Sequence, residues 1–131
     1  MSVHPSDAPP VVLVADDDEN IRFLLRLTLH QAGFAPLVAA NGREAVELFR
    51  RHRDEVRAVL LDVNMPGLDG PGVLAQIRQI APQVRCCFMT GHAAHYGVDN
   101  LLALGATRVF DKPFDLDDLI ETLGELCDQP R

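Results

Sequence analysis

The chain has 131 residues, of which 47% are hydrophobic and 24% charged, with a formal net charge of -7. That length carries one domain with a proper core, and the composition excludes disordered and fibrous classes. The acidic balance excludes a general nucleic-acid or membrane-surface binder, which needs a basic face.

In chain order, residues 1–10, "MSVHPSDAPP", are polar and Pro-rich and are expected to form a flexible tail without a signal-peptide core. "VVLVA" follows as a first strand, Val11–Ala15. Ile21, Leu24, Leu25, Thr28, Leu29 and Ala32 then recur at helical spacing, and Gly33 supplies a stop. A second strand is expected at Pro36–Ala40. Asn41 with Glu44 has capping-box spacing and opens a second helix whose Ala45, Val46 and Phe49 face inward. That helix ends in Arg50, Arg51, His52 and Arg53, a basic run suited to a helix C-terminus rather than to phosphates. Ala58–Asp62 is a third strand, Val73, Leu74 and Ile77 mark a third helix, and Arg85–Thr90 is a fourth strand. Cys86 and Cys87 in that strand and Cys127 near the end have no metal-type spacing, and the strand pair suits small core residues in a reducing compartment. The fourth helix, Val98 to Leu104, is the weakest, because Gly97 and Asn100 lower its propensity. A fifth strand, Arg108–Asp111, precedes a last helix from Asp115 with Leu116, Leu119, Ile120 and Leu123 on one face and Asp117 and Asp118 in its first turn. Residues 128–131 are left as a short C-terminal tail, so the folded domain is placed at 11–127. No apolar stretch reaches bilayer length, and a cytoplasmic location is expected.

Five strand–helix alternations imply an α/β fold, a doubly wound parallel sheet with helices on both faces. Ligands of such sheets bind outside the carboxyl ends of the strands. Strand one ends in Asp16, Asp17 and Asp18, strand three in Asp62 followed by "VNMPGLDG", strand four in Thr90-Gly91 and strand five in Lys112-Pro113. Strand two ends in Ala39, Ala40 and Asn41, which offer no chemistry. Each piece has a plain structural account. Asp18 is best explained as a helix N-cap, Asp69-Gly70 as a turn, Thr90 as a β-branched strand residue and Lys112 as a surface lysine. Asp16 and Asp17 resist such an account, because adjacent carboxylates at a strand end repel each other without a counter-charge. The joint appearance of acids, a hydroxyl and an ammonium at successive strand ends makes chance an unsatisfactory account of the rim.

"VLVADDDENIR", "AVLLDVNMPGLDG", "CFMTGHA" and "VFDKPF", in this order and spacing, resemble the receiver domain of two-component response regulators over roughly residues 11 to 127. The resemblance implies a (βα)5 fold with the flavodoxin-like strand order 2-1-3-4-5. It implies a phosphoacceptor at Asp62, and a carboxylate is a competent nucleophile for making an aspartyl phosphate. It implies Mg²⁺, with Mn²⁺ as a substitute, held by Asp17, Asp62 and the Asn64 backbone carbonyl directly and by Asp16 through water, a donor set that suits a hard cation. Thr90 and Lys112 would stabilise the phosphoryl oxygens, and Gly91 would leave room for their approach. A cis bond before Pro113 would aim Lys112 inward. The donor would be a phosphohistidine on a sensor histidine kinase or a histidine phosphotransfer protein. The readout would be a downstream effector docking on the face of helix four, strand five and helix five; a homodimer is left open, and no nucleic-acid or membrane partner is expected. The chain would not be an enzyme beyond its own phosphoryl transfer and slow autodephosphorylation.

Val109 stands where the family has Tyr or Phe, three residues before the lysine, so an aromatic rotation is unavailable there. His92, two residues beyond Thr90, is expected to alter the lifetime of the phosphoryl group. Three other identities remain. A receiver that only docks partners is compatible with Val109. A haloacid-dehalogenase-type phosphatase would need Asp-x-Asp-x-Thr/Val at the first strand, which Asp16-x-Asp18-x-Asn20 half fits. A flavodoxin-like nucleotide binder would need a phosphate-cradling loop where this chain has acids.

Overall fold

The computed structural model describes residues 8–91 and 97–129. Five parallel strands form one sheet in the order β2-β1-β3-β4-β5. They are β1 (Val11–Ala15), β2 (Ala35–Ala39), β3 (Val56–Asp62), β4 (Cys86–Thr90) and β5 (Arg108–Asp111). The helices between and after them are α1 (Glu19–Gln31), α2 (Gly42–His52), α3 (Gly70–Ile80), α4 (Val98–Ala103) and α5 (Leu116–Asp128).

β1 is central and buried on both faces, which is why its sequence is apolar without alternation. Its period of two still divides the core. Leu13, Val59, Leu61, Cys86 and Phe88 meet Ala45, Phe49, Val73, Ile77 and Leu101 of α2, α3 and α4. Val12, Val14, Leu60, Cys87, Met89 and Phe110 meet Leu25, Leu29, Leu119 and Leu123 of α1 and α5. Cys86 and Cys87 thus serve opposite faces as free buried thiols, and burial pushes Cys87 up to about 11. The β1–β3 register aligns Ala15 with Leu61, and β3–β4 aligns Asp62 with Met89, so the carboxyl ends of β1, β3 and β4 open onto one rim.

Several boundaries differ from the sequence expectation. β2 starts and ends one residue earlier, β3 begins at Val56 rather than Ala58, and α4 ends at Ala103 with Leu104 as its cap. Asp115 is not the first residue of α5 but its N-cap, accepting from the amides of Asp117 and Asp118. Of the residues that recur at helical spacing in α1, two are exposed: Leu24 at 38%, and Ala32, the C-cap. α1 packs mainly on β2, the edge strand, so the flank of the helix beyond that edge has no sheet beneath it. Phe23 and Leu27 stand on the same helix at 67% and 45% exposure.

Val109 and Phe110 point to opposite sides of the sheet. Val109 packs against the α2–α3–α4 core, whereas Phe110 belongs to the α1–α5 core. Arg108 lies 4.6 Å from the Phe110 ring centroid and grips Asp118 through two bonds of 2.8 and 2.7 Å. The side of β5 nearest α4 therefore carries a valine, and no aromatic side chain of β5 takes its place.

Candidate functional site

Asp16 follows the last residue of β1 and is completely buried. Burying a carboxylate costs several kcal/mol unless donors surround it, and here they do. The Asp18 amide donates to its Oδ1 at 2.8 Å and Lys112 Nζ to its Oδ2 at 2.7 Å. Its backbone is fixed as well, its amide donating to the Ala39 carbonyl at 3.2 Å and its carbonyl accepting from Arg22 Nη1 at 2.9 Å. Asp18 turns away from this chemistry and caps α1 through the amides of Asn20 and Ile21.

Asp62 ends β3 and is 4% exposed. Its Oδ1 accepts from the Asn64 amide at 3.2 Å, and its Oδ2 lies 3.5 Å from Lys112 Nζ. Asp17 is exposed at the mouth, and a carboxylate oxygen from each of Asp16, Asp17 and Asp62 falls within 4.8 Å of the others. Thr90 is buried at the end of β4, and its carbonyl accepts from the Lys112 amide at 2.9 Å, which ties the ends of β4 and β5 together. Gly91 and Asn64 are exposed at the rim, and a Cβ on Gly91 would meet nothing within 4 Å. The Lys112–Pro113 peptide is cis. His92 lies outside the described residues.

The electrostatics show a deficit of positive charge. Burial, and then the neighbouring Asp16 carboxylate, push Asp62 from 3.8 up to about 7, with Lys112 pulling the other way. Burial works to lower the Lys112 pKa, but its hydrogen bond to Asp16 and the charges of Asp16 and Asp62 outweigh it and the net shift is upward. One ammonium is thus shared between two buried carboxylates, with a third at the mouth. An all-oxygen donor set of this kind, short of one cation, fits Mg²⁺. The sequence had pointed to these residues separately; it did not show that Lys112 bridges Asp16 and Asp62, nor that Arg22 holds the Asp16 carbonyl. The i,i+6 spacing of Asp16 and Arg22 has no pattern that would have revealed the latter.

Comparison with known proteins bears on the family of this chain. Residues 12–124 match the family model described as response regulator receiver domain. Sporulation initiation phosphotransferase F of Bacillus subtilis is 33% identical over 108 residues, covering 82% of this chain and 86% of that protein. An NtrX-like response regulator of Rickettsia typhi is 36% identical over 119 residues, 89% of this chain but 25% of that protein, so the chain spans a quarter of that relative. Among solved structures, the CheX–CheY–BeF3–Mg complex from Borrelia burgdorferi superposes with a TM-score of 0.86 at 26% identity, covering 95% of this chain and 93% of that one. The response regulator TrrA of Thermotoga maritima, in complex with Mg(2+)-BeF, superposes at 0.78 with 33% identity, covering 88% and 97%. With the family's fold order, an acid-lined rim and a sequence match over most of its length, the chain belongs to the response regulator receiver domain family.

Proposed function

We propose that this chain is the phosphoacceptor of a His–Asp phosphorelay, and that Asp62 is the residue modified. The observation that carries this reading is Lys112 Nζ lying 2.7 Å from Asp16 and 3.5 Å from Asp62, at the one rim where strand-end acids cluster. In the reaction an Asp62 carboxylate oxygen bonds to phosphorus as the bond from phosphorus to the donor imidazole nitrogen breaks, leaving an acyl phosphate and a free imidazole. Asp16, Asp17, Asp62 and the Asn64 carbonyl would hold Mg²⁺, or Mn²⁺ in its place. Bound there, the cation would offset negative charge on the phosphoryl oxygens. Lys112 supplies a fixed positive charge to those oxygens and Thr90 a hydroxyl donor, while Gly91 leaves the approach open. Pro113 orients Lys112, and His92 modulates the lifetime of the product.

The donor is a sensor histidine kinase or a histidine phosphotransfer protein. A macromolecule that reaches Asp62 must cover the rim beside the N-terminus of α1, where Phe23, Leu24 and Leu27 stand exposed; we assign its docking to that apolar face. The effector docks on the α4–β5–α5 face, where Val98, Leu102 and Leu104 are exposed, and a homodimer would use the same surface. With Val109 in place of an aromatic, the signal passes through Thr90 and the backbone at the end of β5. The folded unit is residues 11–127, the setting is the cytoplasm, and the chain turns over no substrate beyond its own acyl phosphate. No helix among the described residues is long and apolar enough to cross a membrane.

The test is incubation with phosphoramidate and Mg²⁺ followed by mass analysis. One added phosphate per chain, absent in Asp62→Asn, is expected. A wild type that gains no phosphate would instead favour a module that docks partners without being modified, the reading that Val109 keeps open. Steady hydrolysis of phosphate esters that survives Asp62→Asn would favour a dehalogenase-type phosphatase with its nucleophile on β1.

A further inference from the structure

We propose that Gly42, the first residue of α2, is a positioning residue for the β3–α3 loop and hence for the Asn64 carbonyl. The inference rests on the function proposed above, in which that carbonyl serves the cation. Gly42 is buried and has no left-handed backbone angle to explain it. At the first position of a helix, with an ordinary negative φ, nothing in the local backbone calls for glycine. What requires it is space. A Cβ at Gly42 would fall onto the carbonyl oxygen of Leu68, and would lie 2.8 Å from Leu68 Cβ and 2.9 Å from Val73 Cγ2. The first two cannot swing aside by a rotamer change, because they are backbone or fixed to it. The loop lies directly on the helix.

Neither partner in this contact is free to retreat. The first turn of α2 is braced by two bonds: the Glu44 amide donates to Asn41 Oδ1 at 2.8 Å, and the Ala40 amide, just before the cap, donates to Glu44 Oε1 at 3.2 Å. The Leu68 side chain also lies against α3, where a Cβ on Gly72 would come within 2.7 Å of its Cδ1. The far end of the loop is seated on the phosphoacceptor strand itself. The Gly70 amide donates to the Val63 carbonyl at 3.1 Å, and a Cβ on Gly70 would stand 2.5 Å from the Asp62 carbonyl oxygen. Between Val63, at the end of that strand, and Leu68 runs the short segment that contains Asn64, whose amide donates to Asp62 Oδ1. A push on Leu68 from α2 has few residues over which to dissipate before it reaches Asn64. Mg²⁺ tolerates little of this, since it demands near-octahedral ligands at about 2.0–2.1 Å.

The experiment compares Mg²⁺ binding by calorimetry, without phosphodonor, in wild type, Gly42→Ala and Gly124→Ala. Gly124 is the control, because a Cβ there meets nothing within 4 Å. Gly42→Ala is expected to raise the Kd for Mg²⁺ about tenfold, the scale on which supporting residues act on a metal site, with Gly124→Ala within about twofold of wild type. Amide hydrogen exchange of residues 64–69 in the metal-free protein should accelerate in Gly42→Ala alone, and phosphorylation by phosphoramidate should recover when Mg²⁺ is raised to match the new Kd. A folded Gly42→Ala that binds Mg²⁺ like wild type overturns the proposal. Should Gly42→Ala fail to fold, Leu68→Ala loosens the same contact without adding an atom, and unchanged Mg²⁺ binding and exchange in that variant overturn it equally. A wild type that binds no Mg²⁺ would instead remove the function on which the inference rests, while the exchange measurement still reports on the loop.

Discussion

Replacing Asp62 with asparagine should stabilise the metal-free protein, and by an amount that depends on pH. The carboxyl of Asp62 is held protonated up to about 7 in the folded chain, against an ordinary value of 3.8, because burial and Asp16 both disfavour its anion. A carboxyl whose folded pKa is raised adds nothing to stability below the unfolded value, where both states hold the proton. Between about 4 and 7 the folded state binds more protons than the unfolded one, so stability falls as pH rises, and above 7 the full cost is present. The separation of the two values corresponds to about 4 kcal/mol at most. Asparagine is close in shape to the protonated acid and cannot ionise. Urea denaturation in a chelating buffer should therefore show Asp62→Asn within about 1 kcal/mol of wild type at pH 4 and about 2–4 kcal/mol more stable at pH 8. Saturating Mg²⁺ should shrink the pH 8 difference, by stabilising the wild-type anion. An equal effect of the substitution at both pH values would refute this account of the site, since it would mean that Asp62 titrates normally in the fold.

Lys112→Met should cost about 2–4 kcal/mol in metal-free urea denaturation at pH 8, because it leaves the fully buried Asp16 without its 2.7 Å partner; part of that loss should return in an Asp62→Asn background, where one of the two facing charges is gone. Arg78 donates to the carbonyls of Leu104 and Gly105 at 2.6 and 2.9 Å, and the last turn of α4 has no basic residue of its own. Arg78→Ala should cost about 1–3 kcal/mol and show faster amide exchange around residues 101–105. Gly105→Ala should cost at least as much by denaturation, since φ is +102° there and a Cβ would strike the Arg78 guanidinium. Phe49→Ala, a cavity in a fully buried site, should cost about 3–5 kcal/mol in the same assay and equally at pH 5 and 8, which sets it apart from Asp62.

The elements were legible in the sequence wherever a local rule governs them. Asn41 and Glu44 announce a helix start by spacing alone, because such a cap is closed within a few residues; in the structure Asn41 caps α2 through the Glu44 amide, and Glu44 reaches back one residue further, to the Ala40 amide. The apolar run of β1 marks a central parallel strand because only a strand covered on both faces dispenses with alternation. Rules of this kind lose force at edges. Leu24 carries the periodicity of a buried residue, yet whether a helix flank is covered depends on what lies beneath it, and α1 overhangs the edge strand.

The same division runs through the site. The acids at the ends of β1 and β3, the hydroxyl of Thr90 and the ammonium of Lys112 stand at strand ends, so chain order and βα alternation were enough to bring them to one rim. What passes between them was decided only by folding. Lys112 is shared between Asp16 and Asp62, and Asp62 is driven up to about 7 by burial beside a second acid. Gly42 and Leu68 are far apart in the chain and carry no joint pattern, yet the backbone of one lies against the other. Periodicity and capping act over a few residues and are written into the order of the chain. Shared counter-ions, desolvation and backbone contact depend on distances between segments remote in sequence, and these exist only once the sheet has closed its register.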